Sequence, residues 1–120
     1  MSIEFDTLNQ SILTTIRNML GPSEDYEYFD NELIPHINSV FNRLKTLGIG
    51  PAEGFSITSD AETWGDFFDD TKVVNMVISY MYLKVKMIFD PPSNSMAAEA
   101  FKQQITEFEW VGNVDAESVD

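Results

Sequence analysis

Few side chains in this chain of 120 residues could carry catalysis or hold a metal. His36 is the only histidine and there is no cysteine, so a zinc site would need His36 together with carboxylates. No second histidine completes the HxxxH or HExxH spacing of known zinc motifs. We therefore expect His36 to be an ordinary residue on a helix surface, and we expect no metal.

The other motifs that support catalysis are also missing from the sequence. The serines do not lie in a GxSxG pattern, and the glycines near position 50 do not form a GxxxxGK[ST] phosphate loop. The acids between Asp60 and Asp70 lack the order of an EF-hand calcium loop. Glu107 and Glu109 lie two residues apart on a predicted helix, so they point to different faces and form no acid–base pair. We interpret the chain as a protein that is not an enzyme and uses no cofactor.

The charge of the chain restricts its partners. The chain contains twenty acidic and seven basic side chains, which gives a formal net charge of -13. Nucleic-acid-binding proteins need Lys and Arg to displace counterions from phosphates, and the field of this chain repels DNA and anionic membranes. The N-terminal sequence MSIEFD has no signal-peptide pattern, and polar residues interrupt the longest apolar stretch, residues 73–89. We expect a soluble, cytosolic protein without a membrane partner.

Apolar residues repeat at helical spacing and predict an all-α fold, a small bundle of about four helices. The predicted helices cover about residues 8–19, 30–47, 71–89 and 95–108. Between the second and third helices the chain is irregular, and residues 54–58 alternate in the way that is typical of a short strand. The acidic stretch from Gly112 to the C-terminus has no pattern, so we expect it to be mobile in the isolated protein.

The third predicted helix is apolar on nearly every face. Its polar residues form one narrow stripe at helical spacing: Lys72, Asn75, Ser79, Tyr82 and Lys86. A helix that is polar only along one narrow stripe is buried by several neighbouring elements. Lys84 lies off the stripe, so its ammonium group must reach solvent or find a carboxylate. The helix ends at Asp90-Pro91-Pro92, because consecutive prolines cannot continue it, and this corner fixes the direction of the fourth helix.

Four large aromatic residues lie beside acidic ones. Trp64, Phe67 and Phe68 belong to the irregular segment, and Trp110 precedes the acidic C-terminal stretch. Aromatic side chains of this kind are enriched at protein interfaces. For each of them taken singly, we favour the interpretation that the ring closes over a small core. All four being core residues is not expected, since the helices already supply a full apolar set.

Several short segments, taken in order, are similar to one known family. They are YFD at 28–30, IPHINSVF at 34–41, LGIGP at 47–51, GFSI at 54–57, TW at 63–64, YLKVK at 82–86, FDPP at 89–92 and EFEW at 107–110. Together they resemble the head–tail connector (adaptor, or head-completion) proteins of tailed bacteriophages, over roughly residues 10–110. One departure follows EFEW, where members of the family usually have Arg-Leu-Asn and this chain has Val111-Gly112-Asn113. A salt bridge from that arginine therefore does not carry over.

The resemblance implies a small α-helical subunit that assembles with its own copies into a ring, twelvefold in the family, beneath the portal at the capsid vertex. Such a ring extends the DNA channel, lets DNA pass without specific binding, and offers a surface to a tail-side stopper or tail-completion protein. A C-terminal arm engages the portal. Here residues 1–110 would form the helical connector domain and residues 111–120 the acidic arm, in a virion protein assembled in the host cytoplasm.

Surface features and resemblance together give candidate contacts with the portal or with a neighbouring subunit. These residues are Trp64, Phe67, Phe68, Lys84, Lys86, Asp90, Glu109, Trp110, Val111 and Asn113. The alternative function is a small acidic DNA mimic that inhibits a host DNA-binding protein. It would need carboxylates spaced like phosphates along one face, whereas the acids here cluster in residues 53–70 and near the C-terminus. A third alternative is a helical interaction module of a cellular protein.

Overall fold

The structure is a computed structural model that describes residues 7–21, 30–89 and 91–119, with the backbone alone for Phe89 and for residues 111–119. It contains five helices: α1 (Ile12–Leu20), α2 (Asp30–Thr46), α3 (Trp64–Phe67), α4 (Thr71–Phe89) and α5 (Ser95–Val119). The predicted all-α bundle of about four helices is confirmed, because α3 is a single turn of four residues. None of the described helices is both long and apolar enough to cross a membrane.

The core lies between α1, α2 and α4, each of which packs against the other two. Every one of these helices contributes buried side chains at helical spacing, as on α2: Leu33, Ile37, Val40, Phe41 and Leu44. The N-terminus of α1 is capped by Ser11, whose hydroxyl accepts a hydrogen bond of 3.2 Å from the backbone of Thr14. The periodicity of the sequence is thus the direct cause of the three-helix core.

The predicted strand at residues 54–58 is wrong. These residues form an irregular loop, and the described part of the chain contains no strand. The loop is held by Asn38 on α2, whose side chain accepts a 2.7 Å hydrogen bond from the Ile57 nitrogen and donates one of 2.9 Å to the Ile57 oxygen. The side-chain amide satisfies backbone groups that a second strand would otherwise pair.

The loop between α2 and α3 turns on glycines. Gly50 has a φ of 92°, a conformation that other residues rarely adopt. A Cβ at this position would lie 2.5 Å from a carbon of the Phe67 ring, so the ring packs directly on the glycine backbone. The close approach seats Phe67 in the core and explains why the LGIGP segment carries a glycine there.

The fourth predicted helix is longer than expected. We predicted its end near Phe108, but α5 continues over 25 residues to Val119 and packs chiefly against α4. It begins after Asn94, whose side-chain oxygen accepts a 2.8 Å hydrogen bond from the Met96 nitrogen. The helix is continuous across the domain boundary predicted after residue 110, which stays a prediction. Asp90, in the corner before α5, lies outside the described residues.

Candidate partner-binding surface

Glu109 on α5 is the centre of a polar cluster that joins three helices. Its Oε2 accepts a hydrogen bond of 2.5 Å from the Tyr80 hydroxyl of α4 and lies 3.5 Å from the Lys84 ammonium. Its Oε1 accepts a bond of 3.2 Å from the Arg43 guanidinium of α2. Hydrogen bonds to a carboxylate are stronger than those between neutral groups, so Glu109 fixes α5 against both helices.

The cluster stabilises the ionised form of Glu109. Burial alone would raise the pKa of this carboxyl, but the hydrogen bonds from Tyr80 and Arg43 and the positive charges of Lys84 and Arg43 outweigh it, so the pKa lies below its usual value. Burial and the Glu109 carboxylate together raise the pKa of the Tyr80 phenol. Glu109 therefore stays negative, and Tyr80 stays a neutral hydrogen-bond donor, at neutral pH.

Aromatic packing surrounds the cluster. The rings of Tyr80 and Phe108 stack with centroids 4.2 Å apart and an interplanar angle of 12°. The Lys84 ammonium lies 5.9 Å from the centroid of the Tyr80 ring. Phe108 and Glu109 thus both contact Tyr80 of α4, the first through its ring and the second through its carboxylate.

Trp110 follows Glu109 and is largely exposed. Its side chain is 67% exposed, at the edge of a shallow cavity that is also lined by Arg43, Leu47 and Thr106. The anchored glutamate and the free tryptophan are adjacent in sequence. The cluster therefore holds an exposed aromatic ring in a defined place, which is the form of an interface anchor.

The exposed apolar side chains are concentrated on α4 and α5. Of the five large apolar residues that are exposed in the described part of the chain, Met19 belongs to α1. The other four, Met76 (52%), Ile88 (55%), Met96 (81%) and Trp110, belong to the α4–α5 pair. Apolar exposure of this kind marks surfaces that meet a partner.

Two of the candidate contact residues, Trp64 and Phe67, lie in the core. Trp64 is fully buried, and its Nε1 donates a 3.1 Å hydrogen bond to the Thr15 hydroxyl of α1. Phe67 is also buried, with its ring 4.9 Å from that of Phe41. Both are core residues of the subunit and are not available to a partner at its surface. Phe68 is half-buried and packs against the edge of the core.

The remaining predicted site residues divide into three groups. Lys84 finds a carboxylate within its own chain, as its position off the polar stripe required. Lys86 is partly buried. Asp90 lies outside the described residues, and of Val111 and Asn113 only the backbone, within α5, is described. A role for any of them in contacts with a partner stays a prediction.

Sequence reasoning missed Arg43, Tyr80 and Phe108 as members of the cluster around Glu109. The signal that was available is Tyr80 itself, because a tyrosine on the apolar face of a buried helix needs a partner for its hydroxyl. Which carboxylate would provide it depends on the packing of α5, in which Glu109 lies 29 residues after Tyr80 along the chain.

The described residues contain no group of three or more His, Cys, Asp or Glu side chains that could hold a metal ion. The described residues do contain the polar cluster around Glu109, the exposed Trp110 and the α4–α5 pair with its exposed apolar side chains. Together these features form a surface suited to binding another protein.

Comparison with known proteins gives one match. The family model described as phage connector protein matches residues 12–119. A search of curated proteins and a search of solved structures each returned nothing similar. The matched range covers the whole three-helix core, the glycine-rich loop and the α4–α5 pair with the Glu109 cluster. This all-α chain therefore belongs to the phage connector protein family, the head–tail connectors of phage virions.

Proposed function

We propose that this chain is the subunit of a ring that lies beneath the portal, extends the DNA channel and joins the phage head to the tail. The observation that carries the proposal is the family match over residues 12–119, which spans nearly the whole chain. The chain works through shape and contacts rather than catalysis. It is built into the virion at the head–tail interface after assembly in the host cytoplasm.

Self-association into a ring, of twelve subunits as in related connectors, is supported by the α4–α5 pair. A closed ring needs two different, complementary patches on each subunit. The exposed side chains of Met76 and Ile88 on α4 leave this helix pair incompletely covered in a single subunit. A neighbouring subunit would remove that apolar surface from water, at a gain of roughly 25 cal/mol for each Å² buried.

Passage of DNA is supported by the charge. A net charge of -13 per subunit produces a repulsive field toward phosphates, and few cations are present to displace counterions. DNA thus passes through the ring without specific binding. A channel that does not hold DNA is useful to a phage, since the same DNA must move in during packaging and out during ejection.

Attachment to the portal uses the C-terminal end of α5. Trp110 is exposed immediately after the Glu109 anchor, and α5 continues to Val119. The portal binds the indole of Trp110 as an anchor, together with Val111 and Asn113, which follow it on α5. The opposite side of the assembled ring of subunits then faces the tail-side stopper or tail-completion protein.

The mass of the purified protein, alone and mixed with the portal protein of the same phage, tests the proposal. We expect closed oligomers of defined mass in at least the mixed sample, because some connectors assemble only on the portal. A chain that stays monomeric at high concentration and never joins the portal would contradict both the ring and the attachment.

A further inference from the structure

Charge is distributed unevenly along this acidic chain. Residues 52–70 contain six acids and no base. Residues 71–106, which form α4 and the first half of α5, contain four lysines and two acids. Residues 71–106 therefore carry a local excess of positive charge in a strongly negative protein, which favours an acidic partner.

A groove between α4 and α5 combines this charge with apolar surface. Its volume is about 380 Å³, and its lining residues are Lys84, Met87, Ile88, Lys102, Ile105 and Thr106. Ile88 is 55% exposed although it lies beside two other apolar side chains. Among the residues that the structure describes, the Lys102 ammonium pairs with Glu99 alone, at 3.5 Å on the helix surface, where both side chains are well exposed. The groove thus offers an apolar floor and an accessible cation.

The acidic loop before α4 offers the complementary chemistry. Three of its six carboxylates hold the local backbone: Glu62 accepts hydrogen bonds from Thr58 and Ser59, Asp66 caps α3 and Asp70 caps α4. Asp69 is exposed, and no described residue forms a hydrogen bond or ion pair with its carboxylate. It lies next to Phe68, whose ring is half-buried. Together they present an apolar edge beside a free negative charge.

The two surfaces lie at opposite ends of one helix. Asp69 precedes the first turn of α4, and Ile88 belongs to its last turn. At 1.5 Å per residue the positions are about 28 Å apart along the helix axis. One subunit therefore cannot bring its own loop into its own groove. Two different patches at opposite ends of one helix allow a head-to-tail contact that repeats from subunit to subunit.

We propose that the groove with Ile88 and Lys102 binds the Phe68–Asp69 loop of a second copy of this chain. The proposal rests on the ring function and names its subunit contact. Phe68 packs against Ile88 of the neighbour, and the Asp69 carboxylate pairs with Lys102. The contact brings opposite charges together in a protein whose copies otherwise repel each other.

DNA is the other polyanion that the lysines could contact, but the groove does not favour it. A phosphate backbone gains nothing from the exposed apolar surface of Ile88. Lys84, on the groove wall, is already bound to Glu109. An apolar floor with a charged rim is the composition of a protein–protein interface.

Charge exchange tests the pairing. Lys102→Glu and Asp69→Lys should each weaken self-association, alone or on the portal, by about tenfold, and combining both in one chain should restore much of it. Glu32→Lys and Lys45→Glu, at exposed positions on α2, are the controls matched in charge to Asp69→Lys and Lys102→Glu, and they should leave association unchanged. If the two reversals are no worse than their controls, the pairing is wrong even where the wild type forms rings.

Cross-linking tests the contact directly, since the chain contains no cysteine. A mixture of the Ile88→Cys and Asp69→Cys variants, treated with a short bismaleimide, should give a covalent dimer that neither variant gives alone. Replacing the first variant with Glu32→Cys should abolish the product. If the wild type forms rings but the specific cross-link is not found, this inference is wrong and the proposed ring function still stands. A wild type that forms no oligomer, even with the portal, would overturn both. If DNA blocks the cross-link and binds wild type more tightly than Lys102→Glu, the groove is a DNA contact instead.

Discussion

The Tyr80 hydroxyl donates a 2.5 Å hydrogen bond to the Glu109 carboxylate, and this bond crosses between the two helices that carry most of the exposed apolar surface. Tyr80 is almost fully buried, so its hydroxyl has no access to water as an alternative partner. Glu109 in turn is held by two cations, Arg43 and Lys84. The bond therefore sets where α5 lies on α4, and with it the position of Trp110.

The first prediction concerns the negative charge of Glu109 in this cluster. Glu109→Gln keeps the size of the side chain but loses the charge-assisted bonds to Tyr80, Arg43 and Lys84, so we expect the free energy of unfolding to fall by about 1–3 kcal/mol. Urea denaturation followed by circular dichroism measures it. Glu99→Gln is the control, because Glu99 is 75% exposed and should change stability little. Equal effects of the two changes would show that the cluster is not stabilising.

The second prediction follows from the lowered pKa of Glu109. A carboxyl whose pKa is lower in the folded state contributes stability above its unfolded pKa of about 4.3, and this contribution is lost as the pH falls through the folded pKa. The wild type should therefore lose stability on acidification more steeply than Glu109→Gln. Denaturation curves from neutral pH to about pH 3 compare the slopes. The pKa of Glu62 is also lowered, by hydrogen bonds from Thr58 and Ser59 that outweigh its burial, so some acid sensitivity should remain in the variant.

The third prediction concerns alkaline pH, where stability falls as the pH rises. Burial, and then the hydrogen bond to Glu109, raise the pKa of Tyr80, so its contribution is present below the unfolded tyrosine pKa of about 10 and is lost as the pH rises above it. The chain has four tyrosines. Tyrosinate absorbance should show one that ionises later than ordinary tyrosine, and Tyr80→Phe should remove that late step while the protein stays folded. A late step that persists in the variant would assign it to another tyrosine.

The fourth prediction separates backbone strain from packing at two glycines. Gly50 and Gly54 have nearly the same φ, 92° and 91°. A Cβ at Gly50 would meet the Phe67 ring at 2.5 Å, whereas at Gly54 it would meet the flexible Lys45 side chain at 3.2 Å. Both changes to alanine cost the strain of a positive φ, about 1 kcal/mol, but Gly50→Ala should cost at least about 1 kcal/mol more. Thermal unfolding compares them, and equal losses would mean that Phe67 moves aside without penalty.

Periodicity located the helices of the core because their burial is repeated along the sequence. Leu33, Ile37, Val40, Leu44 and Leu47 follow one another at steps of four and three residues, and all five are buried. The end of the fourth helix was not found, because α5 packs chiefly against one neighbour and needs no continuous apolar face. Gly112, a poor helix former, also argued against a helix that the structure nevertheless continues.

The candidate site was harder to predict because its members are distant in sequence. Glu109 was among the predicted contacts, but Arg43 lies 66 residues before it and no local pattern links them. Trp64 was a candidate anchor because acids surround it in the sequence. The structure buries it through contacts with α1 and α2, which local composition does not reveal. Polar neighbours in an irregular loop therefore say little about the burial of the residue between them.

The two tryptophans give the last prediction, since one is buried and the other exposed. Trp64→Phe loses the bond to Thr15 and leaves a cavity, so we expect a loss of about 1–3 kcal/mol, measured by urea denaturation. Trp110→Ala, at an exposed position, should change stability by no more than about 0.5 kcal/mol and yet weaken binding to the portal by tenfold or more. In Trp64→Phe, Trp110 is the only indole, so its fluorescence should be quenched readily by acrylamide when free and protected when the portal binds. A Trp110→Ala variant that binds the portal normally would remove Trp110 from the attachment surface, and one that unfolds would make it part of the fold.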